Sequence, residues 1–325
     1  MERDQVAALL ARASGYVSGQ EMSRALGVTR ASVWKEIEAL RAAGWPIESS
    51  TRKGYRLAGP PPALSAPYIS ARLGEDNLFA GKVLVEPLVD STNTRLKAMA
   101  AAGAPTGTAL LAEEQSGGRG THGRSFQSPK GDGLYLSVLL RPSLVRLPDL
   151  LTLTGWVGVA AREAVERASG APADIKWLND LYLNGKKLCG ILTELSFLGE
   201  SGEPDYVVVG MGVNMGQTAE TFRAQGLEDI ATSLALEGWP VEQNHLAVCL
   251  LEALDQLSRD FPARSREYLE RYRSRCLTLG RRVSFDGEGV LLTGTAVRLD
   301  ESFALRVAGD DGREHMISSG TVKMI

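Results

Sequence analysis

Gly118-Arg119-Gly120-Thr121-His122-Gly123-Arg124 is the stretch on which the reading of this 325-residue chain turns. Its glycines satisfy G-x-G-x-x-G, and Gly118, Gly123, Arg124 and Ser125 come within one residue of G-x-x-x-x-G-K-S. Both phosphate-binding patterns need a strand before the loop and a helix after it, so that the helix N-terminus meets the phosphates. Residues 108–112 supply the strand. No helix follows: Pro129, Gly131 and Gly133 come too soon, and Leu-Tyr-Leu-Ser-Val-Leu-Leu at 134–140 reads as a second strand. The pattern argues against a dinucleotide-binding or P-loop fold. What remains is a glycine-rich loop between two strands, with Arg119 and Arg124 able to grip an anion bidentately.

Working outward, Ile175-Lys176-Trp177-Leu178-Asn179-Asp180 ends a strand, Asn184-Gly185-Lys186-Lys187 makes a turn, and residues 189–195 resume the sheet. Residues 207–214 add a strand whose small residues let a flat ligand lie close to backbone. Upstream, Asp90-Ser91-Thr92-Asn93 closes a strand over 83–89 and opens a helix. The order Ser-Thr-Asn, Gly-Arg-Gly-x-x-Gly-Arg, Lys-Trp-x-Asn-Asp, Lys-Leu-x-Gly-Ile and Gly-x-Gly-Val-Asn runs from Ser91 to Asn214. It resembles the biotin protein ligases. With the N-terminal segment described next, it resembles the bifunctional ligases that also repress biotin-synthesis operons.

Residues 1–57 read as a separate unit. Val6, Leu9, Leu10 and Ala13 line one face of a first helix, Ser18 and Glu21 make a capping box for a second, and Thr29 caps a third in which Val33, Ile37 and Leu40 form the buried stripe. The Leu26-Gly27-Val28 bend makes this a helix-turn-helix, with Thr29, Arg30, Ser32 and Lys35 presented outward. A hairpin across Arg52-Lys53-Gly54 reads as a basic wing. The segment carries nine Lys/Arg against six Asp/Glu, whereas the remainder carries 27 against 33. A basic module on an acidic protein points to DNA, although winged helices also dock proteins.

The resemblance implies a multidomain α+β fold: a winged helix-turn-helix over 1–60, a mixed-sheet ligase domain of class II synthetase type over 65–275, and an SH3-like β-barrel over 276–325. It implies an ATP-dependent reaction in which biotin becomes biotinyl-5′-AMP and is passed to a lysine of a biotin carboxyl carrier domain. Two anions meet in the first step, so positive charge at their junction is the main catalytic need. Arg119, Arg124 and Lys187 are the candidates, with Lys186 a solvated neighbour. By position, Ser91, Thr92, Asn93, Gln115, Arg119, Gly120, Thr121, Lys187 and Gly190 would meet biotin. Arg119, Arg124, Asn179, Asp180 and Asn214 would meet ATP or the adenylate, and Asp180 would place Mg²⁺ on the phosphates. For Ser91 and Thr92 helix capping is the alternative, and for Asp180 and Asn214 a turn. Two residues depart from the family: Thr121 stands where many members carry a third arginine, and Leu178 where proline is usual. His122 or Arg124 could take over the missing charge. Operator DNA and a second copy of the chain are the further expected partners. The alternative is a ligand-sensing regulator with little ligase activity, and retention of Lys187, Arg119 and Asn179-Asp180 favours catalysis. A lipoate ligase would lack this loop and the winged helix.

With 44% apolar residues the chain can hold two or three domains with a core. No signal peptide or apolar run of membrane length is present, so the expectation is a cytoplasmic protein away from membranes. Cys189, Cys249 and Cys276 lack C-x-x-C spacing and read as buried thiols. The three histidines are too scattered for a zinc site. Ala58-Gly59-Pro60-Pro61-Pro62-Ala63 reads as a stiff linker. Long helices are expected over 150–169 and 244–275, the second with Leu246, Leu250, Leu254, Leu257 and Phe261 as core, followed by short alternating strands over 280–325.

Overall fold

The computed structural model describes residues 2–142, 145–198, 203–287 and 289–325, with the side chains of Glu2 and His122 outside that description. The N-terminal module consists of α1 (Glu2–Arg12), α2 (Gly19–Leu26), α3 (Arg30–Ala42) and the hairpin β1 (Ile47–Ser50) and β2 (Gly54–Leu57). Ser18 and Glu21 form the capping box on α2, and Thr29 Oγ1 accepts from the Ser32 amide at the start of α3. Helix α1 buries Val6 and Leu10 of the expected stripe together with Ala7, Leu9 is only partly buried, and Ala11 joins the main core; Ala13 lies past the helix end. Tyr55 bridges to Val17, so the wing leaves the hairpin close to the turn before α2. Only glycine fits at Gly54, where φ is +99° and a Cβ would lie 2.2 Å from the Val17 carbonyl oxygen.

The central body begins with α4 (Ala66–Arg72), β3 (Val83–Glu86), α5 (Thr92–Ala101) and β4 (Ala109–Ala112). It continues through β5 (Gly133–Leu140), α6 (Leu147–Leu151), α7 (Leu153–Ser169), β6 (Asp174–Lys176) and β7 (Asp180–Leu183). Next come β8 (Lys186–Leu198), β9 (Glu203–Asn214), α8 (Ala219–Ala224), α9 (Gln243–Asp260) and α10 (Ser265–Ser274). Seven strands form one mixed sheet in the order β3-β4-β5-β9-β8-β7-β6, parallel at β3–β4 and antiparallel elsewhere. Helices α7 and α9 cover one face, burying Trp156, Val157, Leu246, Leu250 and Leu254.

The glycine-rich loop lies between β4 and β5, as strand–loop–strand, and contains only a short 3₁₀ turn at Thr121–Gly123. Other boundaries differ from expectation. The strand expected over 83–89 ends at Glu86, just before Pro87. Asp180 opens β7 instead of ending a strand, because the chain turns between Lys176 and Asp180. The helix expected over 244–275 is two, α9 and α10, because Pro262 has no amide to continue the ladder; Phe261 is the C-cap of α9. The helix expected over 150–169 likewise splits, with Thr152 between α6 and α7.

The last unit is an antiparallel sheet in the order β13-β12-β11-β10-β14, from β10 (Arg282–Gly287), β11 (Val290–Leu299), β12 (Leu305–Gly309), β13 (Glu314–Ile317) and β14 (Lys323–Met324). Its apolar face, with Val283, Phe285, Leu305 and Val307, joins the main core. Trp177 Nε1 donates to the Phe303 carbonyl at 2.8 Å, which fixes this sheet against the turn before β7. Residues 58–65 are tied down as well. Asn244, fully buried at the start of α9, donates to the Pro61 and Ala63 carbonyls (3.1 and 3.0 Å) and accepts from the Ser65 amide (2.9 Å).

Candidate active site

One cleft opens over the β8–β9 end of the large sheet, enclosing about 900 Å³ including its mouth. Its walls bring together Ser91, Thr92 and Asn93 at the start of α5 with Gln115 from the segment between β4 and the loop. Arg119, Gly120, Thr121 and Arg124 come from the glycine-rich loop. Asn179, Asp180, Lys187 and Gly190 come from the β7–β8 hairpin.

The glycine-rich loop is braced from inside. Gly120 N–H donates to the Arg124 carbonyl at 2.7 Å, and Phe126 N–H to the Gly118 carbonyl at 2.8 Å. A Cβ at Gly118 would come within 2.3 Å of the Phe126 carbonyl oxygen and 2.6 Å of Ser128 Oγ, so the loop closes only around glycine. This closure turns the two arginines in different directions. Arg119 reaches Glu194 on β8 (3.3 Å), and Arg124 donates to Thr321 Oγ1 at 2.8 Å, on the segment just before β14. Both guanidiniums remain exposed enough to exchange these contacts for an anion.

Opposite the loop, Lys187 Nζ lies 2.7 Å from Asp180 Oδ1, an ion pair without the alignment of a hydrogen bond. The Lys187 backbone is held on the far side by Ile230 and Thr232 (2.8 and 2.9 Å), so the side chain projects into the cleft. Lys186 points out of it and donates to the Glu228 carbonyl. Asn179 spends its amide on the Ile191 carbonyl (2.8 Å), locking the turn that presents Asp180. Among the described residues no group of three or more His, Cys, Asp or Glu is placed to hold a metal. A cation here would need phosphate and water oxygens beside the Asp180 carboxylate. Asn214 stands apart from the cleft. It is buried at the end of β9, donates to the Thr232 carbonyl (3.0 Å) and accepts from Gln217 (3.2 Å), so its side chain braces the 230–232 segment instead of facing a ligand.

The Ser-Thr-Asn triplet belongs to a polar chain under the cleft floor. Gln115 Oε1 accepts from the Thr92 amide and hydroxyl (2.8 and 3.1 Å), and its Nε2 donates to Ser128 Oγ (2.8 Å). Ser137 Oγ reaches Thr92 Oγ1 at 2.7 Å and Asn93 Oδ1 at 2.6 Å. Asn93 Nδ2 donates to Glu194 Oε2 (2.9 Å), whose other oxygen accepts from Lys97 (2.7 Å). A carboxylate only accepts, so Glu194 fixes which way the Asn93 amide faces. Burial pushes the Glu194 carboxyl up, but hydrogen bonds from Lys97 and Asn93, with the charges of Lys97 and Arg119, hold it below its ordinary range. Ser91 makes no side-chain cap on α5, which leaves its hydroxyl to the cleft, while Thr92 is spent on Gln115.

Several cleft residues escaped the sequence reading. Lys176 Nζ sits 3.2 Å from the Tyr182 hydroxyl, and burial, with the Arg124 charge, pulls its pKa down. The Phe126 ring covers the floor beside Gly190 and Gly212, where Cβ atoms would lie 3.6 and 2.5 Å from it. Gly210 leaves space for Asn93, whose Oδ1 would be 2.1 Å from a Cβ there. The small residues of β9 thus make room for the protein's own side chains as well as for a ligand. Ser137 carried a detectable signal, as a lone polar residue in an apolar strand run, and Glu194 a weaker one, as a charge within a strand; both need buried partners. Gly320 and Thr321 carried none. Cys189 lies beside Lys187 in sequence, but burial pushes its thiol up to about 12, so it offers no thiolate.

Comparison with known proteins agrees with this geometry. Residues 85–214 match the biotin/lipoate A/B protein ligase family, and residues 2–56 match a helix-turn-helix domain. The chain is 34% identical to the bifunctional ligase/repressor BirA of Bacillus spizizenii, covering 91% of this chain and 94% of that one. It is 36% identical to BirA of Escherichia coli, over 76% of this chain and 73% of that one. The biotin protein ligase of Aquifex aeolicus, solved with biotin and ATP, superposes with a TM-score of 0.63 at 30% identity, covering 75% of this chain and all of that one.

Proposed function

This chain belongs to the family of bifunctional biotin ligase/repressors, and from that premise we propose how its own residues divide the two tasks. It is an ATP-dependent biotin protein ligase that carries a helix-turn-helix repressor module. Its substrates are biotin and ATP, and the acceptor is a carboxyl carrier domain. No helix among the described residues is long and apolar enough to cross a membrane.

In the first step a biotin carboxylate oxygen bonds to the α-phosphorus of ATP, and the bond to pyrophosphate breaks. In the second, the ε-amine of an acceptor lysine attacks the mixed anhydride, AMP leaves, and the amine gives up a proton. The junction of the two anions lies between Arg119 and Lys187. Each is paired with a carboxylate, Glu194 or Asp180, whose place an incoming phosphate can take; Glu194 then keeps Lys97 as its partner. Arg124 and Lys176 add charge on the phosphate side. The Asp180 carboxylate would hold Mg²⁺ together with phosphate and water oxygens, and the ion would supply positive charge to the leaving pyrophosphate. Ser91 offers its hydroxyl to the ureido ring, and Thr92, Asn93 and Gln115, fixed by their own hydrogen bonds, line the same wall beside it. Gly120, Thr121, Gly190 and Phe126 wall the apolar part. Asn214 acts indirectly, through the backbone that carries Lys187.

The convergence of these groups in one cleft carries the reading, because a ligand sensor needs no cation pair at a phosphate junction. ATP–pyrophosphate exchange tests it: exchange should depend on biotin and not on lipoate, and absence of exchange with biotin would leave only a binding role. For the repressor task the proposed DNA face is Arg30, Lys35, Arg52 and Lys53. Thr29 and Ser32 take part in the α3 cap. Two copies on a symmetric operator are the arrangement such modules use, and sedimentation with and without operator DNA reads it. The proposed units are 1–60, 65–275 and 276–325.

A further inference from the structure

The recognition helix α3 exposes Arg30, Ala31, Trp34 and Lys35. At spacings of one, four and five residues these share one stripe. Trp34 is the unexpected member: a large apolar side chain that remains 58% exposed. It borders a groove between α3 and the wing that also includes Arg30, Ser49, Arg52 and Gly54. The cations of the module differ in their partners. Arg3, Arg41 and Arg56 are neutralised by Glu36, Glu38 and Glu48. Arg30, Lys35 and Arg52 form no ion pair among the described residues, and Lys53 only overlies the Tyr16 ring at 5.9 Å. The face around Trp34 is therefore built for a polyanion, and the indole is its largest uncommitted group.

Resting on the DNA-binding reading of this module, we propose that Trp34 reads sequence by packing its indole against thymine 5-methyl groups in the major groove. The argument is chemical. Unpaired cations on the wing bind phosphates, which carry no sequence information, whereas Arg30 and Lys35 on α3 can also reach guanine edges. Thr29 and Ser32 hydroxyls lie 3.1 Å apart within the α3 cap, and the Ser32 amide donates to Thr29 Oγ1, so the small polar groups at the helix start are engaged. The thymine methyl is the one apolar group that base edges display in the major groove. An exposed indole gains most by covering such a group, and exposed Ala31 beside it lets the helix approach the groove floor. Trp34 is thus a specificity-determining residue for thymine, and the wing cations Arg52 and Lys53 supply sequence-independent attraction.

The test uses the full-length chain with biotin and ATP present. Binding sites are selected from random duplex DNA, then resynthesised with deoxyuridine at each thymine in turn, which removes only the methyl group. At one fixed salt concentration, losing a contacted methyl should weaken wild-type binding about fourfold. Trp34→Ala should lower the ratio of specific to non-specific affinity about tenfold or more and abolish the sensitivity to deoxyuridine. Arg52→Ala should instead weaken all duplexes and flatten the salt dependence. Circular dichroism checks that each variant is folded. A wild type indifferent to every deoxyuridine, or a Trp34→Ala protein that keeps the same sensitivity, would overturn the proposal. A wild type that shifts no duplex at all would overturn the DNA reading beneath it, a result recognisable because even non-specific lanes stay empty.

Discussion

Lys187 and Glu194 show how single side chains set the chemistry of the cleft. Lys187 Nζ faces Asp180 at 2.7 Å and projects from a half-exposed turn, so truncation opens no core cavity. Lys187→Ala should lower biotin-dependent pyrophosphate exchange on the order of 10²–10³-fold, the usual loss for one preorganised charge. Exchange within threefold of wild type in a folded protein would assign the role elsewhere. Glu194 acts one layer deeper, by orienting Asn93 and holding Arg119. Glu194→Gln keeps the shape and removes the charge. Because the carboxyl titrates below its ordinary value in the folded state, its stabilisation is fully present above the unfolded pKa of about 4.3 and is lost as pH falls through the folded value. The variant should therefore be less stable at pH 7, by about 1 kcal/mol for each charged hydrogen bond made neutral. The gap should close below about pH 4 in denaturant titrations. A constant gap across pH would show that shape, not charge, matters there.

At the scale of elements, β9 is where backbone and cleft constrain each other. A Cβ at Gly210 would lie 2.1 Å from Asn93 Oδ1, whereas one at Gly216 would meet nothing closer than 3.7 Å. Gly210→Ala should cost about 1–3 kcal/mol through overpacking and raise the dissociation constant for biotin, measured by calorimetry, while Gly216→Ala leaves both near wild type. Equal biotin affinity in the two variants would remove Asn93 from the ligand's contacts. These elements also show what could be read from the chain alone. The strand–loop–strand at 108–140 was legible because its breakers, Pro129, Gly131 and Gly133, act locally. Pro262 was an equally local signal, but the leucine repeat that runs up to it masked the break between α9 and α10. For Ser137 and Glu194 the polar character was visible but the partners were not, because these lie 44 to 101 residues away and only the sheet order brings them together. Arg124 meeting Thr321, 197 residues on, is the extreme case. Asn214 followed the family's pattern in sequence, yet its amide is committed to Thr232.

For the whole molecule, the question is how the DNA-facing module is joined to the ligase body. Removing residues 1–62 should abolish operator binding in a gel shift, with or without biotin and ATP. It should also unsettle the body, because Ala11 packs in the main core and the deletion takes away the Pro61 carbonyl that Asn244 holds. Full operator binding by the truncated chain would place the DNA face elsewhere. The segment that joins the two, rich in proline, looks like a tether in the sequence, but in the fold it is stapled. Asn244→Ala would leave the buried Pro61 carbonyl without its partner, at about 1–3 kcal/mol, and free the part-buried contacts at Ala63 and Ser65. The stapled joint has a hydrodynamic consequence. A fluorophore on the wing should lose its polarisation at the slow tumbling rate of the entire particle, with little of the fast component that a swinging domain adds. In Asn244→Ala that fast component should appear.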